Sequence, residues 1–115
     1  TEDELHRTLP GFVRILRQAR PETPILLVSS ICYARVDYVE DVRRRVETKR
    51  DDIMGFYIEQ RRRGDRNIHF TDGYSLLPFG ADSATVDGVH PTDHGFQLMA
   101  DHLAPVIERI LLRDG

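Results

Sequence analysis

The chain has 115 residues, 40% of them hydrophobic and 30% charged, and a net charge of −3, the make-up of one ordinary domain with a single core. No apolar run approaches the roughly 20 residues of a bilayer-crossing helix, and the opening Thr1-Glu2-Asp3-Glu4 is the reverse of a basic, apolar secretion signal. The triplets Arg43-Arg44-Arg45 and Arg61-Arg62-Arg63 fall on stretches that read as helix, so they are expected to be solvated surface and not a nucleic-acid site.

Thr1-x-x-Glu4 has the form of a capping box, and Leu5, Leu9, Phe12, Val13 and Leu16 then recur at helical spacing, which predicts a first helix. Pro10-Gly11 should kink it or mark its proper start, and Pro21-Glu22-Thr23-Pro24 should end it, because proline lacks the amide hydrogen and constrains its predecessor. The next run, Ile25-Leu26-Leu27-Val28, is apolar without alternation, as expected of a parallel strand covered on both faces. Val39, Val42, Val46, Ile53 and Tyr57 mark one face of a long charged helix closed by Gly64, a usual residue just past a helix C-terminus. Asn67 to Thr71 reads as a second short strand, completing a β-α-β unit with an expected right-handed crossover.

A loop of about twenty residues is predicted from Asp72 to Pro91, and loops of that length in compact domains are usually functional or disordered. The last helix carries Phe96, Met99, Leu103, Val106, Ile107, Ile110 and Leu111 at helical spacing, with Thr92 or Asp93 as N-cap and a kink expected at Pro105. Three helices with two strands, one patterned for a sheet interior, make an incomplete α/β layer. The expectation is that a further segment lies upstream and that residue 1 is not a natural start.

Asp87-Gly88-Val89-His90-Pro91 ends the long loop at the mouth of the last helix. A histidine whose second nitrogen is held by a carboxylate can take the proton of an attacking hydroxyl, and the carboxylate stabilises the imidazolium that forms. Gly88 lets the backbone curl back and Pro91 fixes the exit. The alternative is that Asp87 caps a turn and His90 is a partly buried loop histidine. A metal site from His90, His94, Asp87 and Asp93 is conceivable, but Asp93 is better explained as a helix cap and His94 as an exposed first-turn residue. Ser29, Ser30 and Cys32 follow the first strand, at the edge where parallel sheets place their sites. No Gly-x-Ser-x-Gly elbow surrounds them, and Cys32 reads as a small buried hydrophobe. As the lone cysteine it excludes an internal disulfide and leaves the compartment open. Tyr33 and Tyr74 follow the two strands and either line a cleft or pack for stability.

The Asp87-x-x-His90-Pro91 block leading into a final helix resembles the last signature block of the SGNH, or GDSL, hydrolases. The resemblance extends to Arg20-Pro21-x-x-Pro24 before an apolar strand, a long helix, a short strand, and Asp87 through Phe96. It implies a partial flavodoxin-like three-layer α/β/α fold, with residues 1–115 the C-terminal part of a single domain. It also implies a serine ester hydrolase in which His90 is general base and then acid and Asp87 orients it, with no metal or organic cofactor. The substrate would be an acyl ester, an O-acetylated sugar being one candidate. The family's Gly-Asp-Ser nucleophile block and its oxyanion glycine and asparagine are absent; Ala81-Asp82-Ser83 lacks the glycine. The chain alone is therefore expected to be inactive, and to associate with a missing N-terminal segment or a second copy of itself. A different class, a non-catalytic α/β interaction module that keeps the motif as a turn, is the competing expectation.

Overall fold

The computed structural model describes residues 2–31, 39–77 and 91–113. In chain order these form helix α1 (Glu2–Ala19), strand β1 (Ile25–Val28), helix α2 (Glu40–Arg62), strand β2 (Ile68–Thr71), one 3-10 turn (Gly73–Ser75) and helix α3 (Asp93–Arg113). The strands are parallel and in register from Ile25 opposite Ile68 to Val28 opposite Thr71. Parallel neighbours need a crossover, which α2 supplies by packing on both α1 and β2. The ladder runs one residue further at each end. Ile25 N–H donates to the Asn67 carbonyl at 2.8 Å and Ser29 N–H to the Thr71 carbonyl at 3.3 Å.

The core gathers Val13 of α1, Val42 and Val46 of α2, Ile68 of β2, and Leu76 and Leu77 just beyond the 3-10 turn. Ile68, Leu76 and Leu77 are fully buried, each side chain contributing about 2 kcal/mol of transfer free energy. The two leucines lie where the sequence predicts loop. They anchor its described part, Asp72 to Leu77, to the core.

Two further expectations change. Pro10 lies inside α1, which runs unbroken from Glu2 to Ala19. A mid-helix proline forfeits one backbone bond, and here packing on α2, with His6 Nε2 3.1 Å from Asp52 Oδ1, holds the segment helical on both sides of it. The apolar stripe of α1 is also not one buried face: Val13 is buried, while Phe12 and Ile15 are 60% and 65% exposed. Strand β1 is half-buried and Val28 is exposed at its end. Among the described residues only β2 pairs with β1, along one of its two edges. Pro105 likewise lies within α3, whose Phe96, Ile107, Leu111 and Leu112 are exposed.

The edge of the sheet at the strand N-termini is held by one arginine. Arg17 Nε and Nη2 meet the two carboxylate oxygens of Asp65 at 3.1 and 3.2 Å, while Nη1 donates to the Thr23 carbonyl at 2.6 Å and to those of Arg20 and Pro21 at 3.3 Å. Asp65 in turn accepts from Asn67 N–H at 3.0 Å, and Asn67 Nδ2 reaches the Glu22 carbonyl at 2.9 Å. Gly64, at φ 103°, lets α2 end with Asp65 N–H bonded to the Gln60 carbonyl and Gly64 N–H to that of Arg61, both at 3.0 Å. The end of α1, the turn into β1 and the turn into β2 thus share one polar clasp. Of the two arginine triplets, Arg44, Arg45, Arg62 and Arg63 are exposed as expected, Arg44 pairing with Glu40 and Arg63 with Glu59 one turn away, whereas Arg43 is half-buried and so is Arg61, whose guanidinium lies over the Tyr57 ring, 5.7 Å from its centre.

Candidate active site

In a parallel sheet every strand delivers its following loop to one edge, and ligands gather there. The register that sets Val28 beside Thr71 places Ser29 beside Asp72, and the two meet. The buried Gly73 N–H donates to Ser29 Oγ at 2.8 Å, and Ser29 Oγ–H donates to Asp72 Oδ1 at 3.3 Å. The same Oδ1 accepts from Tyr74 N–H at 3.0 Å, and Ser75 Oγ–H donates to the Asp72 carbonyl at 2.7 Å, so Asp72 caps the 3-10 turn from its first position.

Gly73 is required by contact. A Cβ on it would lie 2.1 Å from the Ser29 carbonyl oxygen and 2.4 Å from that of Ser30. The other carboxylate oxygen of Asp72 faces α2, where Arg50 Nη1 stands 3.6 Å away; Arg50 Nη2 also meets Asp51 at 3.1 Å. The guanidinium lies over the Tyr74 ring, 5.5 Å from its centre, and Tyr74 packs on Val42 and Val46. Burial works against the charge on Arg50, but the Asp51 hydrogen bond and the negative charges of Asp51, Asp72 and Glu47 outweigh it and raise the pKa above its ordinary value. Arg50 therefore stays a cation throughout the working pH range.

This arrangement decides among the residues singled out after the strands. Ser29 is buried at 4% exposure and its hydroxyl is engaged as both donor and acceptor, which makes it a brace between strand ends and not a poised nucleophile. Ser30 is exposed. Tyr74 follows the packing alternative, while Cys32 and Tyr33 lie outside the described residues. Sequence reasoning missed Arg50 and Asp72, although the register of two parallel strands sufficed to put Ser29 beside Asp72.

The motif residues Asp87 and His90 also lie outside the described residues, and the structure begins again at Pro91. Thr92 is the cap of α3: its Oγ1 accepts from Gly95 N–H at 3.1 Å and its carbonyl from Phe96 N–H at 2.8 Å. Asp93 and His94 are exposed in the first turn, where the negative charge of Asp93 suits the helix N-terminus. Among the described residues no three His, Cys, Asp or Glu side chains gather as a metal site, and no helix is long and apolar enough to cross a membrane.

Comparison with known proteins gives this arrangement a lineage. Residues 1–108 match the model of the GDSL-like lipase/acylhydrolase family. A structure described as a GDSL-like lipase from Bacteroides ovatus ATCC 8483 superposes with a TM-score of 0.88 at 28% identity, over 96% of this chain and 33% of that one. The salicylyl-acyltransferase SsfX3 of a tetracycline biosynthetic pathway superposes with a TM-score of 0.74 at 25% identity, over 91% of this chain and 33% of that one. The chain thus spans about a third of each of these structures. No curated protein matches it. The α/β fold is that of the GDSL-like neighbours, and the chain belongs to the GDSL-like lipase/acylhydrolase family.

Proposed function

We propose that this chain supplies the acid–base part of a GDSL-type serine hydrolase or acyltransferase, with His90 as general base and acid and Asp87 as its orienting carboxylate. The observation that carries the reading is the string Asp87-Gly88-Val89-His90-Pro91 running directly into the Thr92-capped α3, inside the stretch that matches the family. The nucleophile is a serine in a Gly-Asp-Ser block outside these 115 residues, and without it the chain hydrolyses no ester.

In the reaction His90 removes the serine proton as the serine oxygen bonds to the acyl carbon. The imidazolium, steadied by Asp87, then protonates the leaving alcohol, and the acyl group remains on serine. Attack by water completes hydrolysis; attack by a second alcohol completes acyl transfer, the reaction type in the name of one structural neighbour. The substrate is an acyl ester such as an O-acetylated sugar.

The apolar residues of α1 and α3 that are exposed among the described residues, and the edge of β1 on which no described strand pairs, are covered by another part of the same polypeptide or by a second copy. Relatives three times as long support the first.

The test is denaturing mass spectrometry of the intact natural protein after fluorophosphonate treatment. One labelled serine in a Gly-Asp-Ser sequence, with labelling slowed at least a hundredfold by His90→Ala, is expected. No labelled serine, label on Ser29, or labelling indifferent to His90→Ala refutes the proposal, the first of these favouring a non-catalytic interaction module.

A further inference from the structure

The polar network at the C-terminal ends of the strands is more elaborate than a turn needs. A 3-10 turn is held by its own backbone bonds and one cap, here Ser75 and Leu76 N–H to the Asp72 and Gly73 carbonyls, both at 3.0 Å, with Asp72 Oδ1 on Tyr74 N–H. To these the chain adds Ser29 from the other strand, the Gly73 backbone packed too closely against Ser29 and Ser30 for any side chain, and a charged partner from the third turn of α2. Three elements are tied to one carboxylate. The turn is fixed again four residues on, where Leu76 and Leu77 are 1% and 0% exposed. The backbone from Asp72 to Leu77, the last residue described before Asp87 and His90 in the sequence, is therefore held by Asp72 and its partners together with the core.

We propose that Arg50 and Asp72 are positioning residues for the acyl-transfer chemistry. Their ion pair, seated on Tyr74 and braced through Ser29, fixes the backbone from which the segment bearing Asp87 and His90 departs. The proposal rests on the reading of Asp87 and His90 given above. Neither residue touches substrate. Arg50 suits the task because its charge cannot be lost by titration and its planar group can stack on Tyr74 while facing two carboxylates. Ångström-scale misplacement of a catalytic group costs up to about a hundredfold in rate, so partial loosening predicts an intermediate loss.

The experiment uses the intact protein, with fluorophosphonate labelling to count active sites, so that kcat is expressed per competent site. Arg50→Met is expected to lower kcat per site about tenfold with KM changed less than about twofold, and Arg50→Lys, which keeps the charge facing Asp72, to recover most of the loss. Asp72→Asn retains an oxygen for Ser29 and Tyr74 and loses only the charge; it is expected to behave like Arg50→Met, with the double variant no worse than either single one, as for two halves of one contact. Should Arg50→Met fail to fold, Asp72→Asn and Arg50→Lys carry the test. A fall in Tm or in the number of labelled sites with kcat per site unchanged overturns the proposal in favour of a purely structural brace. A rise in KM alone overturns it in favour of substrate contact. Absence of any labelled serine in the unsubstituted protein overturns the underlying reading and this one together, whereas normal labelling with indifferent Arg50 and Asp72 variants overturns this one alone.

Discussion

Gly73→Ala should be among the most damaging single-methyl additions the chain can receive. The new Cβ would be placed 2.1 Å from the Ser29 carbonyl oxygen, 2.4 Å from that of Ser30 and 2.6 Å from the Ser30 carbonyl carbon, where an unstrained contact needs more than 3 Å. All three atoms are backbone, so no side chain can swing aside, and Ser29 is held in place by its ladder bond to Thr71. Relief requires the strand ends to part by about 1 Å, which strains the packing for about 1–3 kcal/mol. It also stretches the buried Gly73 N–H to Ser29 Oγ bond, and an orphaned buried donor costs about 1–3 kcal/mol more. The sum, about 2–6 kcal/mol, is a large part of the 5–15 kcal/mol that typically holds a domain. Gly55→Ala is the internal control. Gly55 lies within α2 with nothing within 4 Å of the added Cβ, and alanine there should stabilise by about 0.5–1 kcal/mol. Equilibrium urea unfolding of the intact protein with each substitution reads both. A Gly73→Ala variant within 1 kcal/mol of the parent, or shifted in the same direction as Gly55→Ala, refutes the argument from close approach.

Other substitutions probe the remaining supports. Arg17→Met removes both Asp65 contacts and three carbonyl contacts and should destabilise by about 2–3 kcal/mol in urea unfolding. Arg17→Lys should recover less than half of that, because an ammonium cannot span Asp65 and the Thr23 carbonyl together. Thr92→Ala deletes the α3 cap and should cost about 1 kcal/mol, whereas Asp93→Ala, exposed in the first turn, should cost about half that or less by the same assay. Ser29→Ala leaves Gly73 N–H buried without its acceptor and should destabilise by about 1–3 kcal/mol, yet fluorophosphonate should label the intact variant at the same serine as the parent.

Where the sequence spoke clearly, a single local rule was decisive. The unbroken apolar run fixed β1 at Ile25–Val28 to the residue, and Gly64 ended α2 where a left-handed residue was needed. Strand β2 emerged one residue shorter than expected, at Ile68: Asn67 still accepts a ladder bond from Ile25, but its own N–H turns to Asp65 and its side chain to Glu22. The failures arose where partners distant in sequence overrode a local signal. Pro10 reads as a kink or a helix start, and the start is excluded because α1 runs from Glu2 through Pro10 to Ala19, packed on α2. Leu76 and Leu77, set among Gly, Asp, Ser and Pro, read as loop, and only tertiary packing makes them core. Phe12 and Leu16 share a helical period with Val13 without sharing its burial, since periodicity reports what a face can bury and not what covers it. The proposed acid–base motif is read from five consecutive residues, the first four of which lie outside the described ones; the brace of Ser29, Asp72 and Arg50 required the strand register.

The two edges of this small sheet are built on different principles, and the difference bears on where chemistry can be hosted. At the strand N-termini Arg17 grips one carboxylate and three carbonyls, joining turns that lead nowhere but back into the fold, and its contacts resemble those of a stabilising clasp. At the strand C-termini Asp72, Ser29 and Arg50 are spent on a glycine that cannot tolerate a side chain and on the turn that follows β2. A parallel β-α-β unit has no choice over which edge receives its outgoing loops, so a residue that stiffens that edge holds the backbone from which those loops start. That is the physical reason to expect kcat, and not stability alone, to respond to Arg50 and Asp72, and stability alone to respond to Arg17.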